Sequence, residues 1–164
     1  MAQRIYIVGI VASGKTTLAK ALSKKTGLPF YELDTIVHGG DGVQRRKRTS
    51  EEQKQIISDI DAAGGWIIEG TYRKSCHCLL DLADTIVFLD TPLHTRLYRI
   101  FFRFIKQQLG IEHCHYKSDV HMLRMMYKWT WDFERGRPGF MEMLAVYRQK
   151  LIVISKPSEL EGIA

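Results

Sequence analysis

The sequence predicts an α/β domain in which a parallel sheet carries helices on both faces, and three observations lead there. First, the β-branched run at residues 4–8 (RIYIV) meets Gly9 and a short turn before a stretch of helix-forming composition. Second, the apolar runs at 66–69 (WIIE) and 85–89 (TIVFL) are continuous rather than alternating, as in strands buried on both faces. Third, these runs are separated by segments with a 3.6-residue apolar period. The chain has 164 residues, 45% of them hydrophobic, enough for one core without disulfides or a structural metal. No repeat or linker divides it, so residues 1–164 are expected to form a single domain.

The elements follow in order. Residues 14–25 form a helix with Leu18, Ala21 and Leu22 on one face, which Gly27 ends. Residues 29–33 form a second short strand, and 38–48 (HGGDGVQRRKR) have almost nothing to bury and are expected to be a mobile loop. Thr49 and Ser50 precede Glu52 and Gln53 in a capping-box pattern that opens a helix with Ile56, Ile57 and Ile60 inward, stopping before Gly64-Gly65. After the two buried strands the chain turns helical from Pro92 to about residue 110. Further helices are expected at about 118–134 and 140–149, then a last strand at 151–154.

Residues 9–16, Gly-Ile-Val-Ala-Ser-Gly-Lys-Thr, match GxxxxGK[ST] at every fixed position, between a strand and a helix as that motif requires. Such a loop turns backbone N–H groups toward phosphate oxygens and adds the positive end of the following helix. Gly9, Ala12, Ser13, Gly14, Lys15, Thr16 and Thr17 are therefore the expected nucleotide-binding residues. Lys15 is to reach the outer phosphates and the Thr16 hydroxyl to ligate Mg²⁺, with ATP as the cofactor. Ligands of open α/β sheets sit at the carboxyl ends of strands, where Asp34, Glu69 and Asp90 fall.

GIVASGKTT, the PFYELD segment, WIIEGTYR, DTIVFLD and the late W-x-W-x-F-x-R-x-R-P pattern together resemble the bacterial DNA topology modulation proteins, over nearly the whole chain. That family is similar in turn to adenylate kinase and shikimate kinase. The resemblance implies a three-layer phosphate-loop fold of the nucleoside monophosphate kinase type, with a five-stranded parallel sheet of order 2-3-1-4-5 and a helical lid, here at about residues 104–137. It implies that Glu69 orients Mg²⁺-bound water, that Arg73 binds an acceptor phosphate and that Gly70 lets substrate approach the backbone. Glu69 stands where adenylate kinases carry Asp, and Thr71-Tyr72 where they carry Phe-Pro. Asp34 resembles the carboxylate with which shikimate-type kinases orient an acceptor hydroxyl; a turn or helix N-cap aspartate is the alternative. Asp90 reads as a turn residue before Pro92.

On the helix after Pro92, Arg96, Arg99 and Arg103 fall within about 60° of one another. Arginines on a closing lid stabilise charge on a transferring phosphoryl group. Arg99 and Arg103, with Arg137 from the later Arg135/Arg137 pair, are the catalytic candidates beside Lys15 and Asp34; solvated charge on an amphipathic helix is the alternative. Met122, Met125, Met126, Trp129, Trp131 and Phe133 pave a ring pocket or fill core. Cys76, Cys78, His113 and His115 lack the spacing of a zinc site. The run 45–48 (RRKR) has no interleaved aromatics and reads as a solvated loop, leaving contact with nucleic acid without a motif.

The net charge of +6 fits anionic partners of either kind. Three cysteines fit a reducing compartment, and no signal peptide or membrane span is recognised, so a cytoplasmic location is expected. The functional expectation is a phosphotransferase moving the γ-phosphoryl group of MgATP to a nucleoside monophosphate or hydroxyl compound. A nucleotide-switched regulatory ATPase acting on DNA or a protein partner is the other class a phosphate loop can serve.

Overall fold

Five strands form one parallel sheet: β1 (Arg4–Gly9), β2 (Phe30–Glu32), β5 (Trp66–Gly70), β6 (Thr85–Leu89) and β7 (Leu151–Ile154), in the spatial order β2-β5-β1-β6-β7. With the two ribbon strands described below set aside, this is the expected order 2-3-1-4-5. The computed structural model describes residues 4–40, 46–111 and 119–159.

Alternation along β1 divides the core. Tyr6 and Val8 join Ile68, Ile86 and Phe88 beneath α3 (Ser50–Ala62) and α4 (Cys78–Leu82), while Ile5 and Ile7 join Ile67, Val87 and Leu89 beneath α1 (Lys15–Thr26). Burial on both faces is why these strands read as unbroken apolar runs. The helix ends follow their expected chemistry. Gly27 adopts φ 75° and returns its N–H to Ser23 O at 2.9 Å, closing α1, and the Thr49–Glu52 capping box opens α3.

Two expectations are corrected. Residues 38–48 are not a featureless loop: β3 (His38–Gly39) pairs antiparallel with β4 (Arg46–Lys47), residues 41–45 lying outside the described part. The polar side chains themselves hold this ribbon. Arg48 Nη1 donates to the carbonyls of Thr35, Ile36 and His38, satisfying the C-terminal end of the short helix α2 (Leu33–Val37). Arg46 forks onto Glu52, and that contact, with the Thr49 N–H, holds the Glu52 carboxyl down to about 2. Arg48 is therefore tied down, whereas Arg46 stays exposed to solvent, as the solvated reading of the run has it, while it grips Glu52.

Nor do two helices fill 118–149. One helix, α6 (Val120–Ala145), runs through Gly136, Pro138 and Gly139, with Asp119 capping its start at Met122 N, 2.8 Å. A helix-interior proline costs roughly 3 kcal/mol. Here the inward positions Met126, Thr130, Phe133, Arg137, Phe140 and Leu144 recur every three or four residues across it, so anchoring continues on both sides. The Met and Trp residues do not gather into one pocket: Phe133 packs with Phe88 and Phe140, whereas Trp129 and Trp131 are exposed. The other long helix, α5 (Leu93–Gln108), packs against α6.

Candidate functional site

At the carboxyl edge of the sheet, β1 ends on Gly9 because a side chain has no room there: a Cβ would lie 2.9 Å from both Leu89 O and Ser13 Oγ. The loop then bends through Ala12 at φ 59° and Gly14 at φ 102°. Ala12 is the one non-glycine residue of positive φ among the described residues, backbone strain of the kind that persists where surrounding contacts enforce it. Those contacts come from Thr91 and from Arg99 on α5. Thr91 Oγ1 donates to Ser13 O at 2.8 Å, and Arg99 Nη1 donates to Ser13 O at 2.8 Å and Ala12 O at 3.2 Å. With the Ala12 and Ser13 carbonyls engaged in this way, the loop keeps the glycine-bearing backbone shape whose N–H groups receive phosphate in a motif of this kind.

Lys15 folds over the loop, Nζ donating to Ile10 O at 2.8 Å. Burial pushes its ammonium pKa down; Glu69 and Asp34 oppose this and Arg103 adds to it. A phosphate anion beside it would push the pKa back up. Thr16 Oγ1 donates to Glu69 Oε1 at 2.6 Å, and Glu69 is only 5% exposed at the end of β5. Burial raises the Glu69 carboxyl, against the pull of Lys15 and Thr16, while Glu32 and Asp34 push the same way. A hydroxyl and a carboxylate in contact at the loop suit a hard divalent cation of Mg²⁺ type.

Asp34 lies in the first turn of α2 and accepts from Arg73 Nη2 at 2.7 Å, 39 residues on. The tertiary fold thus brings together two residues that the sequence singled out separately. Gly70 is pressed by protein: a Cβ there would lie 2.4 Å from Leu33 Cβ, so the missing side chain lets α2 seat against β5 and carries Asp34 with it.

The arginine stripe divides by depth. Arg96, 1% exposed, donates through Nε to Thr91 O at 2.8 Å, through Nη2 to Glu134 of α6, and lies over the Phe133 ring. It is a buried structural cation, neither solvated nor in the cleft. Arg99 holds the phosphate loop, and Arg103 lines the cleft beside it. Arg137 grips Asp90 with Nε and Nη2, and Asp90 takes a partner that its turn reading did not anticipate; Arg135 is exposed. The cleft, about 530 Å³, is bounded by Ala12, Gly14 and Thr17 of the loop, by Arg99 and Arg103 with Tyr98, Phe102 and Lys106 of α5, and by Pro157.

Several of these residues were missed in the sequence. Glu32 sits in register with Glu69 across β2 and β5, a strand-end position that the PFYELD segment could have disclosed. Tyr98, Phe102 and Lys106 repeat every four residues beside the arginines, a periodicity open to reading. Thr91 and Pro157 gave no local signal. Cys76 Sγ lies 3.4 Å from Gln53 Oε1, and the described residues hold no group of three His, Cys, Asp or Glu side chains suited to a metal; His113 and His115 lie outside them. No described helix is long and apolar enough to cross a membrane.

No protein-family model matches the chain. Among curated proteins it is 30% identical over 115 residues to shikimate kinase 1, chloroplastic, of Arabidopsis thaliana, covering 58% of this chain and 36% of that protein. It is 32% identical over 83 residues to the shikimate kinase of Bacillus cytotoxicus, covering 51% and 43%. The chain thus spans less than half the length of these two relatives. In three dimensions it resembles the shikimate kinase of Acinetobacter baumannii in complex with shikimate (TM-score 0.55, 16% identity, 92% of this chain and 81% of that one). It likewise resembles the shikimate kinase of Bacteroides thetaiotaomicron (TM-score 0.54, 18% identity, 96% and 88%). The five-stranded parallel sheet and its phosphate loop therefore have the fold of a shikimate kinase.

Proposed function

We propose that the chain is a phosphotransferase that moves the γ-phosphoryl group of MgATP to a hydroxyl of a small acceptor. The observation that carries this reading is the placement of two dissimilar polar groups at adjoining strand ends. Lys15, Thr16 and Glu69 form a phosphate-and-cation grip, and the Asp34–Arg73 pair stands beside it, close enough that Asp34 acts on both Lys15 and Glu69.

In this reading Lys15 and the loop N–H groups hold the outer phosphates, and Thr16 with Glu69, directly or through water, holds Mg²⁺. Bound Mg²⁺ supplies charge neutralisation between the phosphates. Asp34 accepts a hydrogen bond from the acceptor hydroxyl and aims its oxygen at the γ-phosphorus. Arg73 holds Asp34 and offers its remaining donors to an anionic group of the acceptor. Arg103, in the cleft, and Arg137, if freed from Asp90, supply positive charge to the equatorial oxygens, while Arg99 keeps the loop in shape. The shikimate kinases similar to this chain favour a hydroxyl acceptor over a nucleoside monophosphate. The resemblance to the DNA topology modulation proteins brings a family name that carries no mechanism these residues display.

ATP turnover measured against a panel of anionic hydroxy compounds, nucleoside monophosphates and duplex DNA tests the proposal. Stimulation by a hydroxy compound, with one phosphorylated product per ADP formed, is expected. Stimulation by DNA alone sinks it in favour of the regulatory ATPase.

A further inference from the structure

The cleft beside the phosphate loop has a lining that phosphate binding does not require. Along α5, Tyr98, Phe102 and Lys106 recur at i, i+4 and i+8, with Arg99 and Arg103 in the adjacent row, and all five face the cleft. Tyr98 is 63% exposed and Phe102 41%, yet the two rings lie together, centroids 4.2 Å apart and planes inclined by 35°. Phe101 braces Phe102 edge-on at 5.9 Å. Two aromatic faces open to water next to a triphosphate grip fit a nucleobase, which stacks on such surfaces whatever its hydrogen-bonding edge.

Side-chain chemistry in the cleft also bears on which base enters. The polar side chains there are the Thr17 and Tyr98 hydroxyls and the cations of Arg99, Arg103 and Lys106; among the described lining residues there is no carboxylate and no amide. Adenine and guanine differ at position 6, where one carries an amino donor and the other a carbonyl acceptor. The two hydroxyls can each accept from that amino group or donate to that carbonyl, so the side chains of this lining meet either purine, whereas a stacking surface favours a larger purine ring over a pyrimidine.

We propose that the Tyr98–Phe102 pair is the stacking platform for the base of the donor nucleotide, and that the site selects a purine with little discrimination between adenine and guanine. This rests on the donor reading above, and the experiment separates the two. The Mg²⁺ complexes of ATP, GTP, CTP and inorganic tripolyphosphate are titrated calorimetrically into the whole chain and into a Tyr98→Ala/Phe102→Ala double variant. ATP and GTP should bind within about tenfold of each other and CTP at least about tenfold more weakly. The double variant should lose roughly tenfold or more for both purine nucleotides while keeping tripolyphosphate affinity. A gap between ATP and GTP beyond tenfold, CTP binding as tightly as ATP, unchanged ATP affinity in the double variant, or parallel loss of tripolyphosphate would each overturn the platform. Failure of the unaltered chain to bind tripolyphosphate would instead overturn the donor reading itself.

Discussion

The phosphate loop and the Asp34–Arg73 corner stand at neighbouring strand ends but treat charge in opposite ways. In the loop, carbonyls are drawn back by Thr91 and Arg99, and Lys15 touches one neutral carbonyl, so a positive field is left facing the site. In the corner, charge is already matched, because Arg73 holds Asp34. On the proposed reading the donor side is preorganised for an anion, while an acceptor would have to share or open an ion pair as it binds. Preorganised charge acts without reorganisation at the moment of transfer, whereas a pair that must open couples acceptor binding to alignment.

Removing Lys15 breaks the donor side most severely. Lys15→Ala should weaken MgATP by on the order of a hundredfold or more by calorimetry, since charge-assisted phosphate contacts are among the strong ones. On the acceptor side, Asp34→Asn should lower kcat by roughly 10²–10⁴-fold in steady-state turnover while leaving the KM for ATP near its starting value. Arg73→Ala should raise the acceptor KM and spare ATP binding; an unchanged acceptor KM would remove Arg73 from the acceptor site.

A smaller effect separates two arginines of one helix. Glu134→Ala strips a partner from buried Arg96 and should cost about 2 kcal/mol in denaturant unfolding, discounted from the ~3–5 of a fully buried pair because Glu134 is partly exposed. Arg99→Ala should leave unfolding nearly unaltered and weaken ATP. The smallest effect is pH-dependent. Because burial raises Glu69, the folded chain binds that proton more tightly than the unfolded chain. Its contribution to stability therefore declines as pH rises from the ordinary carboxylate range through the raised folded value. Mg²⁺ requires the ionised form, so metal affinity should fall as pH drops through the same window. Glu69→Gln should flatten the stability slope and abolish that metal titration.

Much of this was legible in the chain itself. The GxxxxGK[ST] spacing located the loop, and continuous apolar runs located the sheet, because phosphate cradling and two-sided burial both impose strict local patterns. Asp34 was readable as a strand-end residue and Arg73 through the resemblance of residues 69–73 to adenylate kinases, but their contact was not, since 39 positions separate them. Glycine and charge at residues 38–48 looked like loop because ribbon pairing there depends on Arg48 reaching the end of α2. The GRPG stretch looked like a break because local propensity opposes a helix that inward contacts on either side sustain.

By itself the sequence determined that a strand, a glycine turn and a helix would present backbone N–H groups and Lys15 to phosphate, since that geometry is short-range. Only the tertiary structure decided how three arginines of one stripe would be employed: Arg96 sealed beneath α6, Arg99 bracing the loop and Arg103 on the cleft. Helical spacing sets the direction in which a side chain leaves its helix. What it meets there depends on elements tens of residues away, and for a guanidinium that neighbour decides between structure and catalysis.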